Sequence, residues 1–151
     1  MDKNNNDWAA FGWHDFAADE ASRLIAVLPL AATEQHGPHL PLSTDTTIVE
    51  GIVRAAIPKL PDELPVLFLP TAQVGKSNEH ALYPGTLTLS LTTVVAYWKD
   101  LAASVVASGV KKLVFFNSHG GQMNAMDIVT RDLRQEQIRP WLFIFPALLF
   151  L

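Results

Sequence analysis

What most constrains this chain is the way short apolar runs alternate with helical patterns. Four runs, "RLIAVLPLAA" (23 to 32), "PVLFLPTA" (65 to 72), "KKLVFFNS" (111 to 118) and "PWLFIFP" (140 to 146), are each bounded by turn or breaker residues. They are continuous rather than alternating, which predicts strands covered on both faces. Between them lie three amphipathic stretches. Thr44 or Asp45 opens one, with Ile48, Val49, Ile52, Val53 and Ala56 as its stripe and a stop before Pro58. Ser90 or Thr92 opens the second, with Val94, Val95, Trp98, Leu101, Ala102 and Val105 inward and Gly109 at its end. A third runs from about Gln122 to Gln137 around Met126, Val129 and Leu133. A β-α-β-α-β-α-β order calls for a mainly parallel sheet with right-handed crossovers, so the fold class is α/β, a three-layer αβα domain.

Composition narrows the function classes. With 151 residues, 49% of them hydrophobic and 17% charged, the chain reads as one globular domain spanning 1-151. Its net charge of -4 and its lack of any basic run beyond Lys111-Lys112 argue against nucleic acid as a partner. Without cysteine, a metal has to be held by nitrogen and oxygen. The polar start "MDKNNNDWAA" has no signal-peptide core, which reads as cytoplasmic. The apolar run "PWLFIFPALLFL" falls short of the roughly 18 residues a membrane span needs and is interrupted by Pro146, so no membrane association is expected. That run has no solvating tail after it, and the expectation is a C-terminally truncated piece of a longer protein.

In open parallel sheets, sites form at the carboxyl ends of the strands. The loop after the first strand carries Glu34, His36 and His39, with Asp45 at the next helix start. The loop after the second carries Ser77, Glu79 and His80, and the loop after the third carries Asn117, His119, Gly120 and Gly121. Four of the five histidines therefore fall on one edge, and only His14 lies elsewhere. A lone loop histidine is usually a cap or plain surface, but three such loops with neighbouring acids point to a metal site. In extended backbone, residues two apart share a direction, so Glu34 and His36 can face one centre. Asp45 at a helix N-terminus is expected to be ionised and held by backbone donors. Glu34, His36, Asp45 and His119 form an oxygen and nitrogen donor set suited to zinc, manganese or iron. Glu79 and His80 read equally as a solvated turn, and His39 as a residue packed under the pocket.

Two apparent motifs are coincidences. "GKS" at 75 to 77 lacks the phosphate-loop glycine, because position 70 is Pro70. "GKSNE" lacks the second glycine of a nucleophile elbow, since Glu79 stands there.

The motifs "EQHGPHLPLSTD" (34 to 45), "GKSNEHALYPGTLTLS" (75 to 90) and "NSHGG" (117 to 121) resemble the creatininase family of creatinine amidohydrolases and relatives. The resemblance implies two divalent metal ions, zinc, manganese or iron, with Glu34, His36, Asp45 and His119 as ligands and Asp45 bridging. It implies hydrolysis of a C-N bond in a small cyclic amide or formamide by a metal-bridging hydroxide, with His39, Ser77, Glu79 and His80 at the substrate pocket, and a homo-oligomer. The family takes a fifth ligand, a glutamate, either two residues after the His119 position, which is Gly121 here, or from a C-terminal motif beyond this sequence. Two alternatives stand beside this reading: a non-catalytic fragment or subunit that binds a partner through its apolar C-terminus, and a metal-free binding module.

Overall fold

A computed structural model describes residues 6–16, 18–135 and 141–146, the last as backbone only. Four strands, β1 (Ile25–Leu30), β2 (Val66–Phe68), β3 (Lys112–Asn117) and β4 (Trp141–Pro146), form one sheet in the order β2-β1-β3-β4. All three pairings are parallel, with Ile25 opposite Val66 and Lys112, and Lys112 opposite Trp141. The helices are a single turn α1 (Ala18–Ala21), then α2 (Thr44–Ala56), α3 (Leu91–Ala107) and α4 (Met123–Gln135).

The chain steps from β1 to β2 in one direction, then returns past β1 to β3 and β4. With right-handed crossovers a change of direction puts the connecting helix on the opposite face. Accordingly α3 and α4 pack on one another on one face, and α2 packs on β1 on the other. This is the three-layer αβα arrangement. The reversal also makes the gap between the carboxyl ends of β1 and β3 a topological switch point, where open sheets leave a crevice for ligands.

The core lies between the sheet and the α3/α4 layer. Leu28, Leu30, Leu113 and Phe115 of the sheet meet Val94, Trp98, Ala102 and Val105 of α3 and Met126, Val129 and Leu133 of α4. Trp98 and Phe115 are fully buried with ring centroids 6.0 Å apart. Each such side chain contributes about 1.5–3 kcal/mol by leaving water.

The two-sided burial expected of the apolar runs holds for β1, buried from Ala26 to Leu30. It does not hold for β3, where Val114 and Phe116 are only half-buried, because α2 covers β1 rather than β3 on that side. The strand expected over 65 to 72 shortens to three residues; Pro70 has no N–H to extend its pairing. Helix caps also moved. Ser43, not Thr44 or Asp45, precedes α2, whereas Ser90 caps α3 by accepting from the Thr93 N–H at 3.1 Å. Of the apolar stretch 140 to 151, residues 140 and 147–151 lie outside the described residues, as do the side-chain surroundings of 141–146. Among the described residues no helix is long and apolar enough to cross a membrane.

Candidate metal centre

The switch-point crevice is assembled by backbone and side-chain staples that tie distant loops together. The Ser118 N–H donates to Leu30 O at 3.0 Å, and the buried Ser118 hydroxyl donates to Asp45 O at 2.9 Å. These contacts draw the end of β3 toward the start of α2, and so His119 toward Asp45. On the other side Leu87 N donates to Thr33 O at 2.9 Å, and Gln35 N donates to the Thr86 hydroxyl at 3.2 Å. They hold the 75–89 segment against the loop that carries Glu34.

Glu34, Asp45 and His119 converge at the bottom, exposed by only 4%, 5% and 3%. One donor atom from each lies within 4.8 Å of the others. His119 Nδ1 is 3.2 Å from Glu34 Oε1 and 3.1 Å from Asp45 Oδ2. A single ring nitrogen cannot aim one proton at both carboxylates. Glu34 Oε2 and Asp45 Oδ2 are left buried without a hydrogen-bond partner, the latter in ion-pair contact with His119 but out of hydrogen-bond alignment. Two carboxylates this close repel by about 3 kcal/mol at an effective dielectric of ~20. A divalent cation would relieve the repulsion and satisfy the bare oxygens.

His36 joins from the rim. Its Nε2 is 3.2 Å from Asp45 Oδ1 and 3.9 Å from Glu34 Oε1, while its Nδ1 is 3.1 Å from Glu34 O. Asp45 thus turns one oxygen to His36 and the other to His119. The far nitrogen of His119, Nε2, is 2.9 Å from Lys76 O. In both rings a proton parked on a backbone carbonyl leaves the inner nitrogen's lone pair facing the carboxylates, the orientation a metal-ligating imidazole requires. Without a cation, burial of His119 disfavours its charged form, but the adjoining Asp45 carboxylate, the Lys76 carbonyl and the charges of Glu34 and Asp45 outweigh burial. Its pKa is raised above the ordinary 6.5.

Asp45 differs from its sequence-based expectation in one respect: its carboxylate is held by imidazoles, not by backbone donors at the helix end. Ser77 is fully buried, with Oγ 3.3 Å from His119 Nε2, so it backs the imidazole instead of lining an open wall. Glu79 is 40% exposed and its Oε1 is 3.8 Å from His119 Nε2. A Cβ at Gly121 would sit 1.7 Å from that oxygen, so the glycine lets the Glu79 carboxylate lie where it does. His80 Nε2 lies 4.0 Å from Glu34 Oε1. His39 is exposed in the turn at Pro38, with its ring beside Gly37. His14 is exposed on the distant N-terminal segment beside Asp15.

Residues that histidine and acid counting passes over support the ligating groups. Buried Gln122 donates to Asn117 Oδ1 at 2.7 Å and accepts from Lys76 N at 3.3 Å. It thereby steadies the peptide whose carbonyl holds His119. Gln35, between two of the candidate ligands, reaches His80. Its place inside the "EQH" motif is the only sequence signal for that role.

Comparison with known proteins identifies the family. The creatininase family, described as creatinine amidohydrolase, matches residues 9–148.

The chain belongs to the creatininase family.

Among its relatives in that family, the mycofactocin precursor peptide peptidase of Mycobacterium tuberculosis is 36% identical over 116 residues, 73% of this chain and 46% of that protein. The creatinine amidohydrolase of Pseudomonas putida is 25% identical over 137 residues, 84% of this chain and 51% of that protein. Among solved structures, a manganese creatininase superposes with a TM-score of 0.76 at 23% identity, covering 94% of this chain and 58% of that one. A mutant creatininase of Zn-Zn type gives 0.76 at 22% identity, with the same coverage. This creatininase-family chain spans about half the length of the curated relatives it matches.

Proposed function

We propose that this creatininase-family chain takes part in the hydrolysis of an amide C-N bond, and that Glu34, His36, Asp45 and His119 are the residues that would hold two divalent metal ions. The observation that carries the reading is the convergence of two buried carboxylates, each with an unpartnered oxygen, on imidazole nitrogens whose far sides are tied to carbonyls. That arrangement is costly without a cation and suits zinc or manganese. When bound, the metal supplies Lewis-acid polarisation of the amide carbonyl and activation of water.

The chain's own residues do the rest. The Lys76 and Glu34 carbonyls hold His119 and His36 in the ligating tautomer. Ser77 and Gln122 restrict movement on the buried side of His119. Glu34 and Asp45 supply the negative charge that retains the cations. The relatives named above act, by their names, on a precursor peptide and on creatinine, both of which contain the C-N bond such a centre would hydrolyse.

Metal per chain after gel filtration tests the reading. The wild-type chain should retain zinc or manganese, and Asp45→Ala and His119→Ala should each lose it. Unchanged metal content in either variant would remove the ligand assignment.

A further inference from the structure

Three histidines face the carboxylate cluster, and what touches the outer nitrogen of each sorts them into two kinds. His36 and His119 place that nitrogen on a carbonyl oxygen, which can only accept, so in the neutral ring the outer nitrogen carries the proton and the inner one is bare. His80 places its outer nitrogen, Nδ1, 2.8 Å from Gln35 Nε2. Which end of the Gln35 amide faces His80 is decided by the backbone: Gln35 Oε1 accepts the Gly37 N–H at 2.9 Å. A backbone N–H can only donate, so that oxygen is fixed and the amide NH₂ must point the other way. Gly37 reaches this pose with φ +75, a conformation that glycine adopts without strain.

An amide N–H donating to His80 Nδ1 requires a lone pair there, which puts the ring proton on Nε2. That nitrogen faces the centre, 4.0 Å from Glu34 Oε1, beyond hydrogen-bond length, so its proton is not consumed by the carboxylate. The His80 ring is also braced edge-on against Tyr83, with centroids 6.0 Å apart.

We propose that His80 is not a metal ligand but a fixed Nε2–H donor that hydrogen-bonds the carbonyl oxygen of the bound amide, and that Gln35 is the residue that positions it. The proposal rests on the hydrolase reading for the identity of the acceptor. A preset donor beside the cluster favours the oxygen on which negative charge builds as the carbonyl is attacked. It also explains a glutamine between Glu34 and His36, at a position that contributes no ligand.

Imidazole-nitrogen NMR on the isotope-labelled chain, with and without zinc, is the test. His80 should show an unprotonated Nδ1 and a protonated Nε2. In Gln35→Glu, a carboxylate replaces the amide donor, and Nδ1 should gain the proton. A protonated Nδ1 in the wild type, or an unaltered pattern in Gln35→Glu, would overturn the proposal. His80→Phe should bind zinc with wild-type stoichiometry, whereas lost zinc would make His80 a ligand after all. Adding pyrrolidinone, the simplest cyclic amide, to the zinc-loaded chain should shift His80 Nε2 and leave Nδ1 unprotonated; no shift would overturn the substrate-facing role. If the wild type binds no zinc, the hydrolase reading fails on its own, while the metal-free spectra still decide the Gln35–His80 pairing.

Discussion

Replacing Asp45 with asparagine should separate what the metal contributes from what the fold contributes. Glu34 and Asp45 each keep one buried oxygen without a hydrogen-bond partner, and such a group costs about 1–3 kcal/mol. The metal-free fold therefore carries roughly 2–6 kcal/mol of unmet demand at this site, over and above the repulsion between the carboxylates. A cation that satisfies both oxygens should return stabilisation of that order. For a chain of this size 1 kcal/mol moves the melting temperature by about 2–4 °C, so saturating zinc or manganese should raise it by roughly 5–20 °C. Asp45→Asn keeps the shape but removes the charge and turns one acceptor into a donor, so its metal-induced rise should fall below half that of the wild type. Thermal unfolding followed by circular dichroism, with chelator and with metal, reads both quantities. An equal rise in the variant, or no rise in the wild type at saturating metal, would refute the argument that these oxygens are held for a cation.

Three further outcomes follow from the same geometry. The raised pKa of His119 means that its protonated form stabilises the metal-free fold. That stabilisation is fully present below the unfolded value of about 6.5 and is lost as pH rises through the higher folded value. Chelated wild type should thus lose stability over that window in urea titrations at a series of pH values, and His119→Gln should flatten the dependence. Gly121→Ala places a methyl 1.7 Å from Glu79 Oε1 and 2.8 Å from His119 Nε2; the flexible Glu79 can swing away, but the buried imidazole has to shift, and metal affinity measured by competition with a chelator should drop about 10–100-fold. Trp98→Ala empties a fully buried site at the meeting of β3 and α3 and should cost about 3–5 kcal/mol in denaturant unfolding, a large part of the usual 5–15 kcal/mol.

Local pattern carried far in this chain because each element has to solve its own backbone problem within a few residues. The apolar run after Arg23, the α3 stripe from Val94 to Val105 and the Ser90 cap state their periods and ends directly, whereas of the α2 stripe only Val49 is buried and Ile48 and Ile52 lie exposed; the alternation of elements still leaves a parallel sheet with helices on both faces as the consistent answer. The placing of Glu34, His36, Asp45, Ser77, Glu79, His80 and His119 on the carboxyl edge follows from that alternation. The differences arise where a residue's surroundings come from far along the chain. Ser77 turned inward because His119, 42 residues later, packs over it. Val114 and Phe116 remained half-buried because crossover handedness, not strand composition, decides which strand a helix covers.

By itself, then, the sequence determined the kind of sheet, the edge that bears the chemistry and the donor types available there, since period, caps and motif spacing are properties of neighbouring residues. Tertiary structure alone decided what each donor does. A histidine has two nitrogens, and which one is bare depends on whether a carbonyl or an amide N–H meets the other. For His119 that partner is Lys76 and for His80 it is Gln35, contacts that span 43 and 45 residues and come into existence only when the loops close over the switch point.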